Sequence, residues 1–306
     1  MHLKIRLRRG VQSKMKKRTL GRLEFVVFVM PAIIFVTIQM YIPFIMSMFY
    51  SLTNWNGVAP NPKFIGLTNF IQIFKGDPSF NTALIFTVKY TVLFVVITNI
   101  LGILLALALV RQFKLSNVLR AMFFVPYIMS LVIIGFVWKF ILVQGFDYLG
   151  KLTNIGLFNM DWLGTPNLAF VAIVFVSIWQ AVGFYMVIYI AGLQSVPKDL
   201  LEAATIDGAS PIKKFFNVTL PMIMPSVTIC VFLALTSAIK LYDVIVSLTA
   251  AGPAGKTASI TYDIYREEFQ NNNYGYGTAK ALVLFAIVAV ITLIQVSFFK
   301  SKEIDV

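Results

Sequence analysis

Side chains that could carry covalent or acid–base chemistry are scarce in this chain. Its 306 residues include one histidine, His2, one cysteine, Cys230, and 13 Asp and Glu residues that lie almost wholly between apolar runs. A nucleophile with its base, or a cysteine and histidine set for a metal ion, cannot be assembled from these residues. We therefore expect no catalytic site, no metal site and no cofactor, and this excludes most classes of enzyme.

One segment fits the loose pattern of a phosphate loop. Residues 250–257 read AAGPAGKT, and in a true phosphate loop the backbone amides and the lysine of such a segment hold nucleotide phosphates. That loop follows a strand and opens a helix, whereas this segment follows a long apolar run. We reject a nucleotide site here, so energy for any active process must come from a partner.

A polar island from Glu202 to Pro225, EAATIDGASPIKKFFNVTLPMIMP, separates two long apolar runs. Ser195 is expected to cap a first short helix that ends at Gly208, a residue type that reverses a chain after a helix. Ser210 and Pro211 then start a second helix. A plain linker needs neither two helix starts nor small residues beside an acid. The pattern favours a helical elbow that docks on a partner through Leu200, Leu201, Ala203 and Ala204.

The elements that hold this island are membrane helices. Apolar residues form 58% of the chain and charged residues 13%, against about 25% charged in a soluble domain. Lipid offers backbone groups no hydrogen-bond partners, so each span must be a helix. We predict an all-α polytopic membrane protein with six transmembrane helices, each long enough to cross the bilayer: about 25–50, 84–110, 121–143, 168–193, 222–246 and 279–299.

The orientation follows from the distribution of Lys and Arg. Residues 1–24 hold nine of them, alternate connections on that side bring the total to 17, and the opposite side has five. The positive-inside rule then puts both termini and the loop 194–221 in the cytoplasm. The chain divides into a basic tail (1–24), a membrane domain (25–300) and a short tail (301–306). A basic flank before a span is typical of a topology signal, so no nucleic-acid partner is expected.

Charged residues at span edges are candidate functional groups. For Lys89, Lys139 and Lys280 the favoured interpretation is that the amine reaches the membrane interface. Lys240 and Asp243, three residues apart, are expected to share one helical face beside Ser237. Structural pairing and lining of a path remain equal alternatives for these two.

The island and several other segments together resemble a known family. The segments are Glu202-Ala-Ala with Gly208 and Val218-Thr-Leu-Pro221, Phe64-Ile-Gly-Leu-Thr-Asn-Phe70, Pro126-Tyr127, Leu193-Gln-Ser-Val-Pro197, Gly252-Pro253 and Tyr274-Gly-Tyr-Gly277. The chain is similar to the permease subunits of binding-protein-dependent ABC importers, in the MalF/UgpA-like carbohydrate-uptake branch. Ala251 departs from the pattern because the family usually has glycine there, and we expect a small change in loop geometry.

The resemblance implies a type I ABC importer permease fold and a non-catalytic transport role in the bacterial inner membrane. Its partners would be a second permease subunit, two cytoplasmic ATPase subunits and an extracytoplasmic sugar-binding protein. The loop would act as a coupling helix, with Glu202 facing a basic group of the ATPase. The residues implied in coupling are Glu202, Ala203, Ala204, Asp207, Gly208, Phe215, Leu220 and Pro221.

Sugars are usually held by aromatic faces together with amide, hydroxyl and charged groups. The residues that fit this chemistry as a substrate path are Gln144, Ser177, Trp179, Gln180, Phe184, Tyr185, Ser237, Lys240 and Asp243. Gln180 and Phe184 stand one helical turn apart on the same face. The alternative function is an ion-coupled secondary transporter of a small solute. That mechanism needs a carboxylate near mid-membrane, and Asp243, close to a span end, is the nearest candidate.

Overall fold

The computed structural model describes residues 25–111, 113–153 and 155–300, and the predicted tails 1–24 and 301–306, with His2, lie outside them. Over the described ranges the chain is helical apart from connecting loops and one isolated bridge between Thr53 and Phe64. The helices, in chain order, are α1 Phe25–Tyr50, α2 Thr68–Phe74, α3 Pro78–Leu109, α4 Ser116–Ile128, α5 Leu131–Thr153, α6 Pro166–Ser195, α7 Lys198–Ile206, α8 Pro211–Met222, α9 Met224–Ile239, α10 Ile260–Tyr265 and α11 Tyr274–Lys300.

Five helices, α1, α3, α5, α6 and α11, are long and apolar enough to cross a membrane. Helices α8 and α9 meet at a bend of 74°. The structure has a sixth span if this bent pair is counted as one. The helical class and the count of spans agree with the prediction from the sequence.

The centre of the bundle is the pair of α3 and α6, which make the most extensive helix contact and are flanked by α4 and α9. Gly102 of α3 allows close approach, because a methyl group there would lie 3.2 Å from Cβ of Tyr185. The hydroxyl of Tyr189 donates a buried hydrogen bond of 2.5 Å to Oδ1 of Asn99. This pair is therefore the frame on which the remaining helices are placed.

The stretch predicted as a third span, 121–143, is divided. Helix α4 ends at Ile128, Met129 is extended (ψ 146°), and α5 begins at Leu131. The break removes the helical partner of the Tyr127 carbonyl, and the Gln180 side-chain amide donates to that oxygen at 3.3 Å. A side chain on α6 thus supplies a hydrogen-bond donor for the carbonyl that the interruption frees. Because this donor is distant in the sequence, the local sequence does not reveal the interruption.

The stretch predicted as a fifth span, 222–246, also ends early as a helix. Helix α9 stops at Ile239 and a π-helical segment, Ile245–Thr249, follows after an irregular turn. The hydroxyl of Ser259 donates to the Leu241 carbonyl at 2.5 Å, which supplies the freed acceptor with a partner. The polar residues after Ile239 are consequently presented by a turn and not by a regular helix.

Candidate functional site: a central cavity and a helical elbow

A cavity of about 380 Å³ lies between α3, α6, the junction of α4 and α5, and the turn after α9. It gathers seven of the nine residues that the sequence suggested for a path: Ser177, Gln180, Phe184, Tyr185, Ser237, Lys240 and Asp243. The other two lie elsewhere. Gln144 lines a separate cavity with Asp147 and Asp161, and Trp179 packs edge-on against Trp138 with centroids 5.5 Å apart.

One wall of the cavity is aromatic. The rings of Tyr127 and Phe184 stack with centroids 4.4 Å apart, and Tyr185 meets Phe184 edge to face at 5.3 Å. Tyr90 and Phe94 of α3 complete this wall. Tyr90, Phe94 and Tyr127 were not among the residues predicted for a substrate path, although the spacing of four residues between Tyr90 and Phe94 signals a shared helical face.

Another part of the cavity lining is polar and charged. Lys240 and Asp243 are both exposed and both line the cavity. The expectation that they share one helical face is wrong, because α9 ends at Ile239 and the two residues flank an irregular turn. Within the described residues they form no ion pair with each other. Their charges therefore face the cavity, which favours lining over pairing.

The helical elbow is formed by α7 and α8. At the end of α7 the amide of Gly208 donates to the Thr205 carbonyl and the amide of Ala209 donates to the Ala204 carbonyl, with Gly208 at φ +75°. These two bonds form a Schellman motif, so the predicted helix end at Gly208 is confirmed. The amine of Lys214 donates to the Thr205 hydroxyl at 3.0 Å and ties the two helices together.

Of the two predicted caps in this region, one is confirmed. The Ser210 hydroxyl accepts from the Lys213 amide at the start of α8, with Pro211 at the first helical position. The predicted cap at Ser195 is wrong: that residue closes α6, and its hydroxyl donates back to the Gly192 carbonyl. Pro197 precedes α7 instead, without a side-chain cap.

One face of α7 is open. Asp199, Glu202, Ala203 and Ile206 follow helical spacing and are all exposed, Ile206 to 86%. Asp207 and Gly208 are exposed as well. Ala204, in contrast, is buried and Leu201 packs on the core, so these two are not available for contact as the sequence suggested. The open face thus combines two acids, a small residue and one large apolar side chain.

The remaining island residues predicted to act in coupling lie on α8. Phe215, Leu220 and Pro221 are half-buried. Phe215 and Leu220 line an apolar groove of about 520 Å³ against Ile100 and Leu104 of α3. These residues connect the elbow to the central helix pair, which is the position needed to pass a displacement of the elbow to the bundle.

An ion cluster that was not predicted from the sequence joins α11 to the start of α3 and to α10. The amine of Lys280 is fully buried and lies 2.8 Å from Asp77, 2.7 Å from Asp263 and 3.5 Å from Glu267. Arg266 adds a bond of 2.6 Å to Asp263. The expectation that Lys280 reaches the membrane interface is wrong, because three carboxylates from two other segments enclose its amine. The helical spacing of Asp263, Arg266 and Glu267 was the available signal.

The segment that resembles a phosphate loop is a tight turn. It follows the π-helical segment Ile245–Thr249, and Ala250, Ala251 and Ala254 all have positive φ, between 49° and 63°. Ala251 therefore holds the left-handed conformation that glycine adopts most readily. An alanine in this conformation costs about 1 kcal/mol more than a glycine would.

The fold and these two features define a polytopic α-helical membrane component, with a polar and aromatic cavity inside the bundle and a helical elbow at its surface. A family model described as "Binding-protein-dependent transport system inner membrane component" matches residues 98–302. The chain belongs to this family.

Individual relatives agree with this assignment. The chain is 40% identical to the "Probable starch degradation products transport system permease protein AmyD" of Thermoanaerobacterium thermosulfurigenes, over 91% of this chain and 94% of that protein. It is 34% identical to the "Multiple sugar-binding transport system permease protein MsmF" of Streptococcus mutans, over 90% and 95%.

A solved bacterial ABC transporter "involved in the import of the acidic polysaccharide alginate" has the same fold. One of its chains superposes with a TM-score of 0.81 at 22% identity, covering 94% of this chain and 99% of that one. The fold is therefore that of a type I ABC importer permease, as the resemblance implied.

Proposed function

We propose that this chain is one permease subunit of an ATP-driven sugar importer in the bacterial cytoplasmic membrane. The observation that carries the proposal is the open face of α7, on an elbow whose second helix packs on the same α3 that lines the cavity. The names of AmyD and MsmF, permeases for starch degradation products and multiple sugars, support a saccharide as the cargo. The chain itself would perform no covalent chemistry.

The energy of ATP hydrolysis by the partner would reach the membrane helices through the elbow. The exposed carboxylate of Glu202 would meet a basic group of a cytoplasmic ATPase, while Ala203 allows close approach and Ile206 supplies an apolar anchor. A sheltered charge-assisted contact of this kind contributes about 1.5–3 kcal/mol. Closure of the ATPases would then move α8, and with it the lining of the cavity.

The saccharide would cross through the central cavity. The stacked rings of Tyr127 and Phe184 offer an apolar face, and Lys240, Asp243 and Ser237 offer hydrogen-bonding groups in the same cavity. A pocket with apolar walls and a few convergent polar groups is typical of a small-molecule site. A second permease subunit would close the path, and an extracytoplasmic binding protein would deliver the sugar to the outer loops.

The coupling role is tested with Glu202→Arg and Glu202→Gln in the complete transporter. We expect Glu202→Arg to lower ATP-driven sugar uptake about tenfold or more, since repulsion replaces attraction, and Glu202→Gln to have a smaller effect. Less ATPase should also co-purify with the wild-type chain at raised salt than at low salt. Asp161→Arg, the same charge change at an exposed residue before the opposite end of α6 from the elbow, is the control for ATPase co-purification and should leave it unchanged. Unchanged uptake in Glu202→Arg, or no ATPase bound to the wild-type chain, would contradict the proposal.

The alternative of an ion-coupled transporter is separated from this proposal by its energy source. Sugar uptake by an ion-coupled transporter into right-side-out vesicles would follow the ion gradient and would be lost when an ionophore is added. An ATP-driven importer instead keeps uptake when the gradient is collapsed and loses it when ATP is removed.

A further inference from the structure

A continuous run of aromatic rings leads away from the central cavity. Tyr242 lines the cavity and meets Tyr265 with centroids 5.3 Å apart, and Tyr265 stacks on Phe269 at 5.2 Å. The run continues from Phe269 to Tyr274 at 5.4 Å and from Tyr274 to Trp55 at 5.6 Å. Five rings thus follow one another without a gap, and one of them belongs to the cavity wall.

The rings come from four separate segments of the chain. Tyr242 follows α9, Tyr265 and Phe269 belong to α10 and its π-helical extension, Tyr274 opens α11, and Trp55 lies in the loop after α1. Local sequence pattern does not create such an arrangement. All of the rings keep part of their surface exposed, and Phe269 is 57% exposed.

The usual explanation for aromatic residues near a membrane surface is an interfacial belt. Belt residues sit at the ends of spans and face lipid around the perimeter of the bundle. Here Tyr265 and Phe269 lie on a short helix that is not among the candidate spans. The run also starts inside a cavity that holds Lys240 and Asp243, a position that a lipid-facing belt does not reach.

The arrangement fits the chemistry of a saccharide chain. The face of a pyranose ring presents C–H groups, which pack on the electron-rich face of an aromatic ring, while its hydroxyl groups stay free for polar partners. Successive rings at nearly equal spacing can accept successive sugar units. Lys240 and Asp243 beside Tyr242 supply the polar partners where the run enters the cavity.

We propose that Tyr242, Tyr265, Phe269, Tyr274 and Trp55 form an outer saccharide-binding track that receives the sugar units of an oligosaccharide beyond the one held in the cavity. The inference rests on the proposed function, because it takes a saccharide as the cargo. It adds that the cargo is a chain of several sugar units, and that the outer face of this subunit binds it directly.

The test uses the complete transporter in nanodiscs with Phe269→Leu and Tyr265→Leu, which keep apolar bulk and remove the ring. Saturation-transfer NMR is recorded with maltose, maltoheptaose, cellohexaose and xylohexaose as probes. In the wild type we expect transfer to the C–H protons of at least one of the longer probes. In each variant that signal, and the apparent affinity for that probe, should fall about three- to tenfold. Phe74→Leu, at a 74% exposed ring on α2, is the matched control and should match the wild type.

Two results would overturn the track. One is an absence of transfer to every longer probe in the wild type, and the other is an equal signal in the two track variants and in Phe74→Leu. Neither result bears on the coupling of Glu202 to an ATPase, which is measured separately. Loss of ATPase binding in the wild type, with normal transfer to an oligosaccharide, would instead contradict the proposed function and leave the track standing.

Discussion

Asp77 combines two structural roles in a single carboxylate. Its Oδ1 accepts from the amides of Ser79 and Phe80 and caps α3, while its Oδ2 lies 2.8 Å from the amine of Lys280 and accepts from the Tyr276 hydroxyl at 2.7 Å. Burial raises the pKa of Asp77, but hydrogen bonds from Lys280, Tyr276 and Phe80 outweigh it and lower the pKa to about 2. The ionised form is therefore the one that the fold stabilises.

This shift predicts an acid-sensitive contribution to stability. Because the folded pKa of about 2 lies below the ordinary aspartate pKa of 3.8, the contribution of Asp77 is complete above pH 3.8 and is lost as the pH falls toward 2. In Asp77→Asn this part of the pH dependence should disappear, while the cap itself remains because asparagine is also a good cap. Thermal unfolding in detergent at neutral pH and near pH 3 checks this, and an unchanged pH dependence in Asp77→Asn would refute it.

At the scale of elements, the elbow depends on a helix end that reverses direction within two residues. The Schellman bonds require a left-handed residue after α7, and Gly208 at φ +75° supplies it. A methyl group added at Gly208 would meet no other atom within 4 Å, so the cost of a side chain there comes from the backbone alone. A substitution at Gly208 therefore tests the backbone conformation alone, without a change in side-chain packing.

We predict that Gly208→Ala lowers the free energy of unfolding by about 1–2 kcal/mol, and that Gly208→Asn costs less because asparagine tolerates this conformation. Gly156→Ala is the matched control, since Gly156 has an ordinary backbone conformation and likewise no atom within 4 Å of an added methyl group. The melting temperature of the purified chain is the measurement. Equal values for Gly208→Ala and Gly156→Ala would show that the elbow is not held by this conformation.

At the scale of the whole molecule, the ion cluster joins the ends of three helices. Lys280 of α11 contacts Asp77 before α3, Asp263 of α10 and Glu267 just beyond it. Two of the elements that it joins also flank the proposed pathway, since α3 lines the cavity and α10 carries Tyr265 of the aromatic track. The cluster therefore sets the relative position of the cavity and the track.

Removal of the central charge should be costly. In Lys280→Met three carboxylates lose their shared partner, and the loss of one member of a buried ion cluster typically costs about 3–5 kcal/mol. Lys151→Met removes one member of the exposed pair with Asp147, where both side chains are more than half exposed, and should change stability by less than about 1 kcal/mol. Thermal unfolding of the two variants gives the comparison.

An equal stability of the two lysine variants would contradict this prediction. If Lys280→Met unfolds at the same temperature as Lys151→Met, the cluster does not stabilise the helix ends that it joins. The double variant Lys280→Met with Asp263→Asn should recover part of the loss, because one unpaired charge is removed with its partner.

Local chemistry was enough to predict the class of the fold and the elbow. Apolar runs of sufficient length must become spans, because lipid leaves the backbone no other partners, and a glycine followed by serine and proline ends one helix and starts the next. Most of the cavity residues on α6 were also predictable, since Ser177, Gln180 and Phe184 project from one side of a single helix. Each of these inferences depends on neighbours within about two helical turns.

Only the tertiary structure decided where the spans are interrupted and which charges are paired. The break after Ile128 depends on Gln180, 53 residues beyond Tyr127, and the end of α9 depends on Ser259. Lys280 is buried because carboxylates from other helices reach it, and the cavity wall formed by Tyr90 and Tyr127 exists because α3 and α4 both pack on α6. Freed backbone carbonyls and buried charges are stable only with distant partners, and the position of those partners is a property of the folded chain.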